Sequence, residues 1–251
     1  MKADRIVTAL THLLFAAVLL GSWELASARG WINPVLVGSP SGIAAFLWDN
    51  ATTGQLWVDL GWSLTGTAAS FALGSMVALA VGLVFVAYPA IERFLEPYFS
   101  AVNVMPRIAL APLFILWFGL GIGSKIAVGF SLTFFIVLSS TVAGMRAVSQ
   151  DHVTLCKTLG ANARTMFFQV TLPGAVAVIF SGLRLGLVYA LLGVIGAEII
   201  ASEKGLGQSL SYLSSTFNVN GVMALLLVLA AVGICLVGVM TRIERRLLHW
   251  Q

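Results

Sequence analysis

Arg107, Arg184 and Glu198 stand inside or at the edge of long apolar stretches, and a polar segment, "TLCKTLGANARTMFFQVTLP" (154–173), separates two of those stretches. A charge within an apolar span is expensive, so it faces a bundle interior or a water path, pairs with a partner, or snorkels to the surface. Arg184 lies about 15 Å along its helix beyond the boundary at Pro173, at about 1.5 Å per residue, which is near mid-membrane. There it offers positive charge to an anionic solute, ties two helices together through carbonyls, or snorkels. Arg107, next to Met105-Pro106, is similar but closer to the inner surface. Prolines at 106 and 112 break this span and free carbonyls that only protein or water can satisfy, so Arg107 and Pro112 are expected to line a pathway. Glu198, with Glu203 and Lys204, marks the outer end of another span, as part of an outer gate or as a solvated loop.

Other chemistry finds no support. His12, His152 and His249 are scattered without a His-Glu-x-x-His pattern, so no metal site is expected. "GLGIGSK" (119–125) has Ser124 where a phosphate loop needs glycine, and no strand precedes it. Asn50-Ala51-Thr52 is a glycosylation sequon by pattern only. Cys156 and Cys235 are too few for a disulfide framework and read as inert thiols. Without a clustered acid, base or nucleophile, a membrane-embedded enzyme is set aside.

The elements that must position these residues are membrane helices. Of the 251 residues, 59% are apolar and 10% charged, and the mean hydropathy is +0.98, far above a water-soluble domain. The net charge of +4 is carried in short clusters between apolar runs, which sets topology and does not suggest nucleic acid. About 20 apolar residues cross a bilayer as a helix, and six runs qualify: 6–27, 63–87, 99–120, 126–145, 174–200 and 221–240. The fold expected is all-α, a single polytopic transmembrane domain over 1–251. Phe46, Leu47, Trp48, Leu56 and Trp57 read as a helix lying at the interface. Ala26-Ser27-Ala28 resembles a signal-peptidase site, but Glu24 and the long apolar run favour a retained anchor.

Basic residues orient the chain. With the N-terminus inside, inner segments hold Lys2, Arg5, Arg93, Arg146, Lys157, Arg164, Arg242, Arg245 and Arg246, against Arg29, Lys125 and Lys204 outside. Both termini and the 151–173 segment are therefore expected in the cytoplasm. Asp151 can cap a helix over 152–159 in which Leu155 and Leu159 share a face. Gly160 suits a left-handed helix end, and Asn162 can cap a second helix through Met166, Phe167 and Phe168. The product is a bent amphipathic elbow that docks on a partner or rests on lipid headgroups. Small residues at Gly182 and Gly186, Ser70 and Gly74, and Gly119 and Gly123 permit close helix approach.

Gly160 followed by Val170-Thr171-Leu172-Pro173 resembles the cytoplasmic loop signature of bacterial ABC importer permeases. "MPRIALAPLFILWFGLGIGSK" (105–125), "SGLRLGLVYALLGVIGAEIIASEKGLGQSL" (181–210), "SPSGIAAFLWDN" (39–50) and "RIERRLLHW" (242–250) are similar to the nitrate/sulfonate/taurine branch, so the resemblance covers most of the chain. It implies a type I importer permease fold (MetI-like) in the bacterial inner membrane, without enzymatic activity or bound cofactor of its own. Its partners would be two ATPase subunits using ATP and Mg, a periplasmic binding protein that Glu198 and its loop could face, and a second permease copy, most simply in a homodimer. The elbow would be the coupling helix, with Thr154, Leu155, Cys156, Lys157, Leu159, Gly160, Ala161 and Arg164 at the ATPase. The family's Glu-Ala-Ala triplet is replaced here by Thr154-Leu155-Cys156, so its glutamate contact is absent. The cargo implied is a small, anionic solute. A stand-alone secondary carrier or channel is the alternative, disfavoured because Glu24 and Glu198 are the only carboxylates that this reading places near span interiors.

Overall fold

The computed structural model describes residues 2–247, so His249 and the last residues of the closing motif lie outside the described chain. Every regular element among the described residues is helical. Among the described residues, five helices are long and apolar enough to cross a membrane, or six if one bent pair counts as a single span.

The first of these, α1 (Lys2–Ala28), is exposed from Leu10 to Ser22. It is tied at its end, where the Glu24 carboxylate accepts from Ser41 N at 2.9 Å and Ser41 Oγ at 2.7 Å. A single turn, α2 (Pro34–Val37), leads to α3 (Pro40–Thr53), which Ser39 caps by accepting from Gly42 N at 3.1 Å. Gly54, at φ 85°, ends α3 in the left-handed region and starts α4 (Gln55–Ala87). The interfacial helix expected from Phe46 to Trp57 therefore stops at Thr53, and Leu56 and Trp57 open a 33-residue helix that begins well before the 63–87 span. No proline or loop separates them, so the polar residues Gln55 and Asp59 stay helical.

Three helices form the centre: α4, α7 (Ile122–Arg146) and α10 (Leu172–Ile200). They approach closely because small residues face one another, as association between apolar helices in lipid requires. A Cβ added at Gly182 would stand 2.2 Å from Ser140 Cβ, and one at Gly74 2.9 Å from Thr133 Cβ. The expected pairs at Gly182/Gly186 and Ser70/Gly74 are thus used in packing. Gly119 is not: nothing lies within 4 Å of its added Cβ, and its φ of 76° identifies a turn glycine. Apolar clusters fill both halves of the bundle, one around Leu191, Ile195, Leu206 and Leu225, the other around Ala78, Phe85, Phe134 and Leu138.

The 99–120 span is not one helix. α5 (Pro89–Val104) ends at Met105, and a tight turn (Arg107–Leu110) leads into α6 (Ala111–Phe118), with an 85° bend between the two parts. Pro106 lacks an N–H and pushes Met105 to extended backbone (ψ 135°), which stops α5. Pro112 is near the start of α6, where its missing N–H breaks no bond.

After α7 come the short helices α8 (Gln150–Thr158) and α9 (Ala163–Met166). A wide helical turn (Phe167–Thr171) then joins α9 to α10 without interruption, giving one run from Ala163 to Ile200. The second elbow helix is therefore the foot of the fifth span. α11 (Leu206–Ser215) and α12 (Val219–Leu247) complete the chain.

Candidate functional site

Two groups of candidate side chains sit toward opposite ends of α10. At its foot, Gly160 takes φ 81°, and Ala161 N donates to Cys156 O at 3.0 Å, the closing bond of a left-handed helix end. Asn162 caps α9 by accepting from Thr165 N at 2.8 Å, as expected. Asp151 does not cap α8: it lies in the first turn, and its N–H donates to Ser149 Oγ at 3.3 Å. Leu155 and Leu159 are 57% and 77% exposed, so the shared apolar face is uncovered. Thr154 and Arg164 are also exposed, Cys156 and Ala161 are half-buried, and Lys157 belongs to α8. The wide turn at Phe167–Thr171 adds a backbone irregularity of a kind that recurs at functional sites.

The far end of α10 holds a buried polar junction. Glu198, 1% exposed, accepts from Ser63 Oγ at 2.7 Å, Gly207 N at 2.9 Å and Lys125 Nζ at 3.1 Å. Lys125, 2% exposed, also donates to Lys204 O. Asp59 accepts from Gln55 Nε2 at 3.2 Å, Ser209 Oγ at 2.6 Å and Gly205 N at 3.2 Å. Ser63 Oγ accepts from Leu206 N at 2.9 Å. The orphan amides at the start of α11 thus find three acceptors, and its partial positive end sits against two carboxylates. Glu198 is offset by Lys125, whereas the buried Asp59 is held by neutral donors alone, those of Gln55, Gly205 and Ser209.

This corrects three expectations. Glu198 is not part of a solvated loop, since α11 folds back over it. Lys125 is not an outer-loop cation, because α7 starts at Ile122 and carries it into the bundle. Asp59 is a further buried carboxylate within a long helix, 3% exposed. The spacing of Asp59 and Ser63, four residues apart on one helical face, is the signal that could have found it.

The remaining charges serve the helices that bear them. Arg184 pairs with Glu244 of α12, so it ties two helices through a carboxylate, where carbonyls were expected. Arg107 is 9% exposed at the 85° bend; its Nη2 donates to Asn103 O at 3.2 Å and to Asn103 Oδ1, and its guanidinium lies 4.2 Å from the Phe135 ring centroid. Pro112 is exposed on α6. A cavity of about 320 Å³ opens between α5 and α7, lined in part by Glu96, Ser100, Asn103, Phe135 and Ser139. Arg146 and Glu92 form an ion pair at this cavity. Arg107, Arg184 and Glu198 therefore have separate partners, and among the described residues no group of His, Cys, Asp and Glu could hold a metal ion.

A bundle of helices long and apolar enough to cross a membrane, with one broken span and an amphipathic elbow, is the frame of an integral membrane protein. The chain belongs to the binding-protein-dependent transport system inner membrane component family, whose pattern matches residues 70–249. It is similar to the formylaminopyrimidine transport permease protein of Halalkalibacterium halodurans, 30% identical over 97% of this chain and 96% of the relative. It is also similar to the taurine transport system permease protein of Escherichia coli, 29% identical over 93% of this chain and 87% of the relative. In fold it matches a chain of the MetNI methionine ABC transporter solved in inward-facing conformations, with TM-score 0.68 and 16% identity over 78% of this chain and 97% of that one. The protein is an ABC importer permease subunit and not an enzyme.

Proposed function

We propose that this chain forms the membrane path of an importer that takes a small anionic solute, such as a sulfonate, taurine or nitrate, from a periplasmic binding protein. The likeness to a taurine permease supports a solute bearing a sulfonate group, whereas the likeness to a formylaminopyrimidine permease widens the range of cargo that such a chain serves. Two ATPase subunits, using ATP and Mg, dock on the elbow of each of two permease copies, and both termini face the cytoplasm. The uncovered Leu155 and Leu159 on a helix ended by Gly160 carry this reading, because an apolar face beside exposed Arg164 suits a protein cleft. Thr154 stands where the family's glutamate would, so docking here rests on apolar packing. Arg107 and the cavity beside the bend belong to the path, while Arg184 holds the bundle together.

The test is co-purification of the ATPase with the L155E/L159E double variant and with Gly160→Val. Retention of the ATPase at the unsubstituted level by both would overturn the docking assignment.

A further inference from the structure

The junction at Lys125 and Glu198 is built to a polarity that an ion pair alone does not need. Three amides of one chain segment, those of Gly205, Leu206 and Gly207, each find a different side-chain acceptor, on Asp59, Ser63 and Glu198. The carbonyl just before them, that of Lys204, takes a donor from Lys125. Acceptors therefore stand at positions 59, 63 and 198 and a donor at 125, and the order cannot be reversed without setting like groups against each other. Close packing seals the arrangement. A Cβ added at Gly205 would stand 2.1 Å from Glu198 Oε1, and one at Gly207 would stand 2.6 Å from both Glu198 Cβ and Ile195 O. Below the polar layer, Leu206 and Leu213 pack in one apolar cluster with Leu191 and Ile195 of α10.

Glu198 also sits near the end of the helical run that starts at Ala163 in the elbow. We infer that Lys125 and Glu198 are positioning residues of the transport cycle: they fasten α11 and the 201–205 loop to α10, so that displacement of the elbow reaches α11 at the opposite end of the bundle. This inference rests on the importer reading above. Sliding of α11 against α10 would leave buried carboxylates and amides unpaired together, so the segment moves with the helix or not at all.

The experiment uses the permease in nanodiscs with its ATPase and binding protein, and reads ATPase retention, basal ATP hydrolysis and its stimulation by the loaded binding protein. Glu198→Gln removes the charge and sets an amide NH2 against either the Lys125 ammonium or the Gly207 N–H, both of them donors. It is expected to retain the ATPase and its basal rate while losing stimulation by about fivefold or more, the low end of usual coupling between sites. Lys125→Arg, which keeps a donor, should retain most of the stimulation. The charge swap K125E/E198K should not restore it, because the swapped groups face Lys204 O and Gly207 N with the wrong polarity. If Glu198→Gln does not accumulate, Gly207→Ala tests the same contact by pressing α11 away from Glu198. Unchanged stimulation in the variant obtained, or rescue by the swap, would overturn the inference. Failure of the unsubstituted chain to retain the ATPase would overturn the importer reading and the inference with it.

Discussion

Lys125 Nζ stands 3.1 Å from Glu198 Oε1, and neither side chain is more than 3% exposed. The pair joins residues from two helices; Lys125 also reaches Lys204 O on the loop leading to α11, and Glu198 the amide of Gly207 in its first turn. Truncating one member leaves the other buried and uncompensated, which costs about 3 to 5 kcal/mol. Glu198→Ala and Lys125→Ala are therefore each expected to lower the midpoint of thermal unfolding in detergent by several degrees. The double variant K125M/E198L should fall by less than the sum of the two, since no charge is stranded. Additive losses would show that the two residues contribute independently.

Helix contact at the centre of the bundle depends on missing side chains. A Cβ added at Gly193 would meet Gly129 Cα at 2.8 Å, backbone that cannot swing aside, as well as the Leu132 side chain at 2.8 Å. Gly193→Ala is expected to destabilise the protein by about 1 to 3 kcal/mol through overpacking. Gly233→Ala on α12 has open space within 4 Å and is the matched control, expected to be neutral or mildly stabilising. Equal loss in the two would remove the α7–α10 contact as the cause.

Five of the six apolar runs fall on long helices because a hydrocarbon core demands such runs, and Gly160 and Asn162 were legible because helix ends have local chemistry. The bend at Pro106 was legible in kind, since proline removes a donor and constrains the residue before it. Its 85° size was not, because that depends on how α5 and α6 rest on α7. The junction was hidden for a different reason. Asp59, Ser63, Lys125 and Glu198 come from three helices, and hydropathy treats each as a local blemish. Lys125 looked like a loop residue because apolar runs do not mark where a helix starts, and α11 was missed as a cover because it is short and mixed in polarity.

Arg184 and Glu244 pair between α10 and α12, with side chains 35% and 18% exposed. Met240, on the same stretch of α12, is buried, so packing already holds the two helices near each other there. Partial exposure screens the charges, and a double-mutant cycle with R184A and E244A should give a coupling of about 0.5 to 1 kcal/mol. Chemical denaturation of the purified protein reads the cycle, and a coupling near zero would leave Arg184 without its assigned partner.

Sidedness is open to direct labelling. With Cys156 and Cys235 replaced by serine, a cysteine at exposed Arg164 is expected to react with a membrane-impermeant maleimide only after the inner membrane is opened, as the Lys and Arg distribution requires. Reaction in intact spheroplasts would place the elbow outside and remove any contact with a cytoplasmic ATPase.

Arg107 holds the bend in a way that lysine cannot copy. Its Nη2 reaches both the backbone carbonyl and the side chain of Asn103 in the last turn of α5, while its planar guanidinium lies over Phe135 of α7. A flexible ammonium can satisfy one of these demands at a time. Arg107→Lys is expected to cost about 1 to 2 kcal/mol, from a weakened charge-assisted hydrogen bond and reduced stacking. Asn103 also lines the cavity between α5 and α7, so loosening it should lower transport by more than the loss of folded protein explains. Uptake normalised to folded permease in proteoliposomes separates the two effects. A fall that merely tracks protein abundance would make Arg107 a brace for the bend with no part in the path.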